Sequence, residues 1–249
     1  MQLPYRLLET DMQRWWQDIH QELGSLADTN FKTGWQYLIE KKRLGCRISP
    51  SYGGQGRSYL ELALFIGALS RINPSLALSF LAHDQLCAAH FEDASPALKA
   101  RYLPALASGH TIGAMAVTEP EAGSDIMSIR TTAQPSGEGW VLNGQKTWIT
   151  NAPVAGLIVV YARTDPHDPK SLSTFLVNPD EHQVIRSEPI EKFGMTNSPT
   201  GELTFRETWI PKDHLIGTPG DGAPRMMRYF DAERIMLAAG CVGIMEQAL

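Results

Sequence analysis

The run Gly113–Asp125 reads Gly-Ala-Met-Ala-Val-Thr-Glu-Pro-Glu-Ala-Gly-Ser-Asp and sets a short apolar segment directly against a polar turn that carries a glycine. Ala114 to Val117 predicts a short buried strand. Thr118-Glu119-Pro120 stops it, because Pro120 has no amide hydrogen for a ladder and holds Glu119 to extended conformations. Gly123-Ser124-Asp125 then offers free amides and a hydroxyl on a backbone that a ligand can approach closely, a turn suited to an anion or to the polar edge of a ring. A second stretch, Leu142–Asn151, answers it. Its Asn143-Gly144 predicts a tight type I′ hairpin that pairs Trp140–Leu142 with Lys146–Thr150. Period-2 alternation puts Lys146, Trp148 and Thr150 on one face and Thr147 and Ile149 on the other. A Trp beside a Thr hydroxyl suits a flat, hydrogen-bonding heterocycle.

Around these stretches the hydrophobic period changes twice. Residues 1–112 read as helices over Tyr5–Leu23, Trp35–Leu44, Ser58–Ile72 and Leu76–Phe91, with a short one opened by Ser95-Pro96 and ending at Tyr102. From Gly113 to about Leu215 the pattern is strand-like: Val141, Leu157–Tyr161, Ser173–Val177, Val184-Ile185 and Glu202–Phe205 are short, β-branched or aromatic, and separated by turn residues. After Pro219-Gly220-Asp221-Gly222, helix returns over Met226–Leu249. The expected fold is α+β. An all-α N-terminal domain (1–112) precedes an antiparallel β-barrel or sandwich (113–220), and a helix (221–249) follows.

Several function classes are disfavoured. The net charge is −5, and the basic run Lys41-Lys42-Arg43 after Glu40 reads as a solvated helix face, which argues against nucleic acid as a partner. The longest apolar runs, Leu62–Leu69 and Gly156–Ala162, are too short to span a bilayer. Acidic residues at Glu9 and Asp11 disfavour a secretory or transit segment, so a cytoplasmic protein is expected. Cys46, Cys87 and Cys241 are widely spaced without a C-x-x-C, which predicts reduced, buried thiols. His83 and His90 have no third ligand at metal spacing, so no metal is expected. Neither dinucleotide nor triphosphate glycine fingerprints occur, and Gly144-Gln145-Lys146-Thr147 is read as a hairpin turn.

Met115–Asp125 followed by Asn143–Asn151 resembles the paired signatures of the acyl-CoA dehydrogenases, in order and separation. Pro50–Gly56, Tyr102–Gly109 and Phe230–Arg234 are similar to further segments of that family, so the resemblance covers nearly the whole chain. It implies FAD as cofactor, an acyl-CoA thioester as substrate and electron-transfer flavoprotein as electron acceptor. It also implies the cofactor set: Met115, Val117 and Thr118 along the ring system, Gly123 and Ser124 near the pyrophosphate and thioester, and Trp148, Ile149 and Thr150 by the ring near N5. The implied reaction removes the α-proton to a Glu and passes the β-hydride to flavin N5, with an enoyl-CoA reductase or an oxygen-using oxidase as variants within the same class. Family members place that Glu at one of two locations. One lies in a second helical bundle beyond Leu249; the other, in members resembling the isovaleryl- and long-chain-specific enzymes, falls on Asp231-Ala232-Glu233-Arg234.

Glu233 is accordingly the candidate base, against the alternative of an N-terminal helix Glu placed by the macrodipole. Asp231 is read as the helix N-cap and, with Ser124 and Arg234, as part of the substrate set. Family members continue through the bundle that forms their subunit contacts, so 221–249 is expected to be the first helix of a truncated C-terminal domain. A homo-oligomer is expected at full length. The competing expectation is a catalytically incomplete fragment or subunit acting as a binding module.

Overall fold

Side-chain caps set the helix ends in the first half of the chain. The computed structural model describes residues 10–168 and 170–249, so Tyr5 to Glu9 of the first expected helix lie outside the described residues. Helix α1 spans Thr10–Leu23, and α2 spans Phe31–Glu40 with the Asn30 side chain accepting from the Thr33 amide. Ser58 and Glu61 form a reciprocal capping box that opens α3, Tyr59–Ile72. Asn73 caps α4, Pro74–Leu81. The expected helix to Phe91 does not stay α-helical: a π-helical turn, Ala82–Cys87, follows, and then a 3-10 segment, Ala88–Asp93. Ser95 and Pro96 open α5, which runs past the expected end at Tyr102, through Pro104, to Ser108; Gly109 closes it in the left-handed conformation. Trp35, Leu38, Leu62, Phe65, Leu69 and Phe80 form the core of this bundle, joined by Met236 from the last helix.

The middle region is one 8-stranded mixed sheet rather than a closed barrel. Its strands are β1 Gly113–Ala116, β2 Thr132–Ser136, β3 Gly139–Thr150, β4 Leu157–Arg163, β5 Leu172–Val177, β6 Ile185–Arg186, β7 Thr200–Pro211 and β8 Leu215–Ile216. The order is β6-β7-β3-β2-β4-β5-β8, with β1 and β2 pairing in parallel with β4, so the purely antiparallel expectation does not hold. Every residue of β4 and β5 is buried, and their Val, Ile, Leu and Phe side chains form the centre of the sheet's packing.

Two local expectations fail here for one reason. Asn143-Gly144 is not a turn: it lies inside the twelve-residue strand β3, which pairs along its length with β7. The chain reverses instead at Gly137-Glu138, with Gly137 at φ 58 between the paired residues Ser136 and Gly139. At Asn143 the ladder bulges. The side chain donates to Glu207 Oε1 at 2.7 Å and accepts from the Glu207 amide at 2.8 Å, and Glu207 itself takes φ 47. The β3–β7 register slips again between Lys146 and Ile149, where Trp148 adopts φ 57. Strict alternation is lost, so Lys146 and Thr147 are both buried while Trp148 is 58% exposed.

The last helix, α6, is a single 27-residue helix over Gly222–Ala248. The expected glycine-rich linker therefore ends at Asp221, the N-cap position. Cys46 and Cys87 are buried as expected, but Cys241 is exposed, because it lies on a face of α6 that also shows Ile235, Val242 and Met245 to solvent. Burial raises the Cys46 thiol strongly and pushes the Cys87 thiol up to about 12. Among the described residues, no helix is long and apolar enough to cross a membrane and no group of His, Cys, Asp and Glu could hold a metal ion.

Candidate active site

A cavity of about 650 Å³ opens where four segments meet. Ala82 and Leu86 come from the π-helical turn, and Met115, Val117, Thr118, Gly123, Ser124 and Ile126 from β1 and its turn. Trp148, Ile149 and Thr150 come from the end of β3, and Phe230, Glu233 and Arg234 from α6. The eight residues expected around the flavin thus line one space, with Glu233 and Arg234 beside them. Asp231 does not line it.

Buried polar contacts hold these walls in register. Lys146 Nζ donates to the Val117 carbonyl at 2.9 Å and to Glu119 Oε1 at 2.8 Å, while the Thr147 amide donates to the Thr118 carbonyl at 3.0 Å. Glu119 also accepts from the Arg130 and Thr131 amides at 2.7 and 3.0 Å, which fixes the far end of the Gly123-bearing turn. Burial lowers the Lys146 ammonium to about 8 despite Glu119. Burial alone would raise the Glu119 carboxyl, but Lys146 and the amides outweigh it and hold it below the ordinary range. His83 joins the helical wall to the sheet: its Nε2 donates to the Leu106 carbonyl at 3.0 Å and its Nδ1 accepts from the Gly113 amide at 2.9 Å. Burial lowers this imidazole to about 4, so it is neutral at pH 7. His90 is likewise structural, with Nε2 2.6 Å from the Tyr161 hydroxyl. Asn151, left-handed at φ 70, donates to the Ser79 and Gly113 carbonyls at 2.9 and 3.0 Å and ties the end of β3 to both neighbours.

Trp148 is the outlier. A bulky residue rarely takes positive φ, and a large indole is rarely left half in solvent; both occur together at a bulge that points it into the cavity. An exposed indole, three hydroxyls (Thr118, Ser124 and Thr150) and apolar Met115, Val117 and Ile149 suit a flat heteroaromatic ring with a polar rim, so the residues fit a flavin.

Glu233 lies about three turns inside α6. The macrodipole acts within the first turn, so it does not explain a Glu here. Burial raises the Glu233 carboxyl above its ordinary range, and Arg234 offsets part of this. Asp231 is not an N-cap, because the helix begins nine residues earlier at Gly222; its carboxylate is exposed and accepts from Arg234 Nη1 at 2.8 Å. Ala82, Leu86 and Ile126 are not singled out from the sequence, and Phe230 is read only as the start of the Phe230–Arg234 segment. Only the four-residue spacing of Ala82 and Leu86 hinted at a shared face, and the π turn that aims them is set by tertiary contacts.

Family models for the acyl-CoA dehydrogenase N-terminal and middle domains match residues 8–110 and 114–208. The chain belongs to the acyl-CoA dehydrogenase family. The mitochondrial isovaleryl-CoA dehydrogenase of Oryza sativa subsp. japonica is 36% identical over 217 residues, 86% of this chain and 53% of that protein. The chain thus spans about half the length of the curated acyl-CoA dehydrogenases it matches. Among solved structures, the prolyl acyl carrier protein oxidase AnaB superimposes with a TM-score of 0.91 at 29% identity, over 96% of this chain and 67% of that one. The FAD complex of PigA gives 0.85 at 30% identity, covering 96% and 66%.

Proposed function

We propose that the cavity holds FAD and that the protein, as an acyl-CoA dehydrogenase, takes part in the α,β-dehydrogenation of an acyl-CoA thioester, with electron-transfer flavoprotein as the acceptor. The observation that carries this reading is that Glu233 and the eight signature residues share one cavity. Met115, Val117, Thr118, Gly123, Ser124, Trp148, Ile149 and Thr150 would hold the cofactor. Bound flavin supplies the hydride acceptor. The chain supplies the rest. Glu233, made more basic by burial, takes the α-proton onto its carboxylate. With flavin bound, Trp148 would cover a ring face and exclude water, and the Thr118 and Thr150 hydroxyls would offer donors and acceptors to the polar edge. Ser124 and Arg234 stand on the substrate side.

The likeness to AnaB makes a carrier-bound acyl thioester the comparison substrate. A second reading, a binding module without turnover, is favoured by the apolar side chains that α6 leaves in solvent. The two separate in one experiment. Chain reconstituted with FAD should be yellow and should bleach anaerobically on adding an acyl-CoA, and Glu233→Gln should stay yellow without bleaching. A chain that takes up no flavin supports the module; bleaching by Glu233→Gln at the wild-type rate removes Glu233 as the base.

A further inference from the structure

A charged cluster, buried at Arg225 and Tyr229 and reaching solvent at Arg228, lies one turn of α6 before the cavity. Arg225 is ion-paired to Asp93 and, through Nη2 at 2.6 Å, to Asp221. Arg228 also pairs with Asp93, and the Tyr229 hydroxyl donates to Asp93 Oδ2 at 2.7 Å. Tyr229 is buried and packs its ring 4.2 Å from that of His90, which is itself hydrogen-bonded to Tyr161 on β4. Asp93, at the end of the 3-10 segment, is thus gripped by three side chains of one helix. Burial alone would raise its carboxyl, but the Tyr229 hydroxyl and the two guanidinium groups hold it below the ordinary range. This concentrates polar interactions on one point of α6.

We infer that Asp93 is a positioning residue for the Glu233 carboxylate, a role that rests on the proposed reaction only in making Glu233 the group worth positioning. Glu233 follows Tyr229 by four residues, so it sits one turn along nearly the same face. Rotation or sliding of α6 at Tyr229 therefore carries Glu233 with it. At the other side of Glu233 the helix is held by Gly243, which rides against the Gly67 carbonyl of α3. Between these two points α6 is also seated by Met236, buried in the bundle core, and its residues lining this cavity are Phe230, Glu233 and Arg234. Arg234 is the charged group that Glu233 feels, and the lining residues from β1, β3 and the π turn are uncharged. The Glu233 titration therefore reports how deeply the helix seats it.

The test follows that titration by ¹³C NMR of Glu-labelled chain, with Glu233→Gln assigning the resonance; no turnover is needed. Tyr229→Phe removes one grip without changing charge, and Asp93→Asn removes the charge that all three side chains hold, leaving at most a neutral amide oxygen as acceptor. Both should move the Glu233 titration down toward the ordinary carboxylate range, and acyl-CoA bleaching should slow about tenfold or more. Ile210→Ala, a cavity in the sheet cluster that no α6 residue joins, should lower the melting temperature and leave the titration in place. An unchanged titration in Tyr229→Phe overturns the inference, whether or not Asp93→Asn shifts it, since a shift from Asp93→Asn alone is charge acting through space. An equal shift in Ile210→Ala overturns it too. If Glu233→Gln retains bleaching while Tyr229→Phe moves the titration, the base assignment falls and the positioning stands.

Discussion

Lys146 Nζ meets Glu119 Oε1 at 2.8 Å with both side chains out of solvent, at 0% and 5% exposure. The pair joins the two signature stretches, because Glu119 also receives the amides that follow the Gly123 turn and Lys146 precedes Trp148 by two residues. Removing one partner leaves the other buried and uncompensated. Lys146→Met should cost about 3–5 kcal/mol in urea denaturation, and Glu119→Gln combined with it should recover most of that loss. Additive losses in the double variant would show that the two residues do not act as a pair.

The same pair gives stability a pH dependence. The folded Lys146 is lowered to about 8 from 10.5, so between these values the unfolded chain binds the extra proton, and stability from this group rises with pH across that window. Glu119 is held below its ordinary value when folded, so its contribution is present above the ordinary carboxylate range and is lost as the pH falls through the folded value. Melting temperatures of wild type and the double variant should diverge in both windows. Parallel curves would contradict the linkage.

Trp148 holds a left-handed backbone with its indole half in water. Trp148→Gly relieves the strain and loosens the unfolded chain in compensation, so stability should stay within about 1 kcal/mol of wild type. Flavin affinity, followed by quenching of flavin fluorescence, should fall. A large loss of stability with unchanged affinity would make the indole a structural residue.

As the proposed base, Glu233 works only when ionised, and burial raises its carboxyl. Anaerobic bleaching should therefore rise with pH through a midpoint above the ordinary carboxylate range, and Glu233→Gln should lose about 10²–10⁴-fold in rate. Because the folded pKa exceeds the unfolded one, the folded chain binds more protons in that window and stability falls as pH rises through it. Glu233→Gln should then be more stable than wild type at neutral pH, measurable by thermal unfolding.

Gly243 has no room for a side chain: a Cβ there would strike the Gly67 carbonyl of α3. Gly243→Ala should cost about 1–3 kcal/mol by forcing the helices apart, and should lower bleaching through the displaced Glu233. A variant of wild-type stability would show that α6 shifts freely.

Much of the fold could be read from local chemistry. Ser58 with Glu61, Asn73, and Ser95 with Pro96 begin helices through their own side chains and nearby amides, so their positions needed no tertiary information. The apolar β4 and β5 announce themselves as buried strands in the same way. Asn143-Gly144 has the local chemistry of a turn, yet β7, some sixty residues away, offers a ladder along the whole of β3 and wins. Asp231 has the chemistry of a cap, but it falls nine residues inside a helix that starts at Asp221-Gly222.

By itself the sequence determined which family the chain belongs to and which residues offer hydroxyls, free amides and an indole to a ligand, because these are properties of single residues and their neighbours. Tertiary structure alone decided that Lys146 turns inward while Trp148 turns outward, that the π turn supplies a wall, and that Glu233 faces the cavity from deep within α6. Those outcomes depend on register with β7 and on the packing of α6 against α3 and the bundle core, pairings between residues distant in the chain that no local preference encodes.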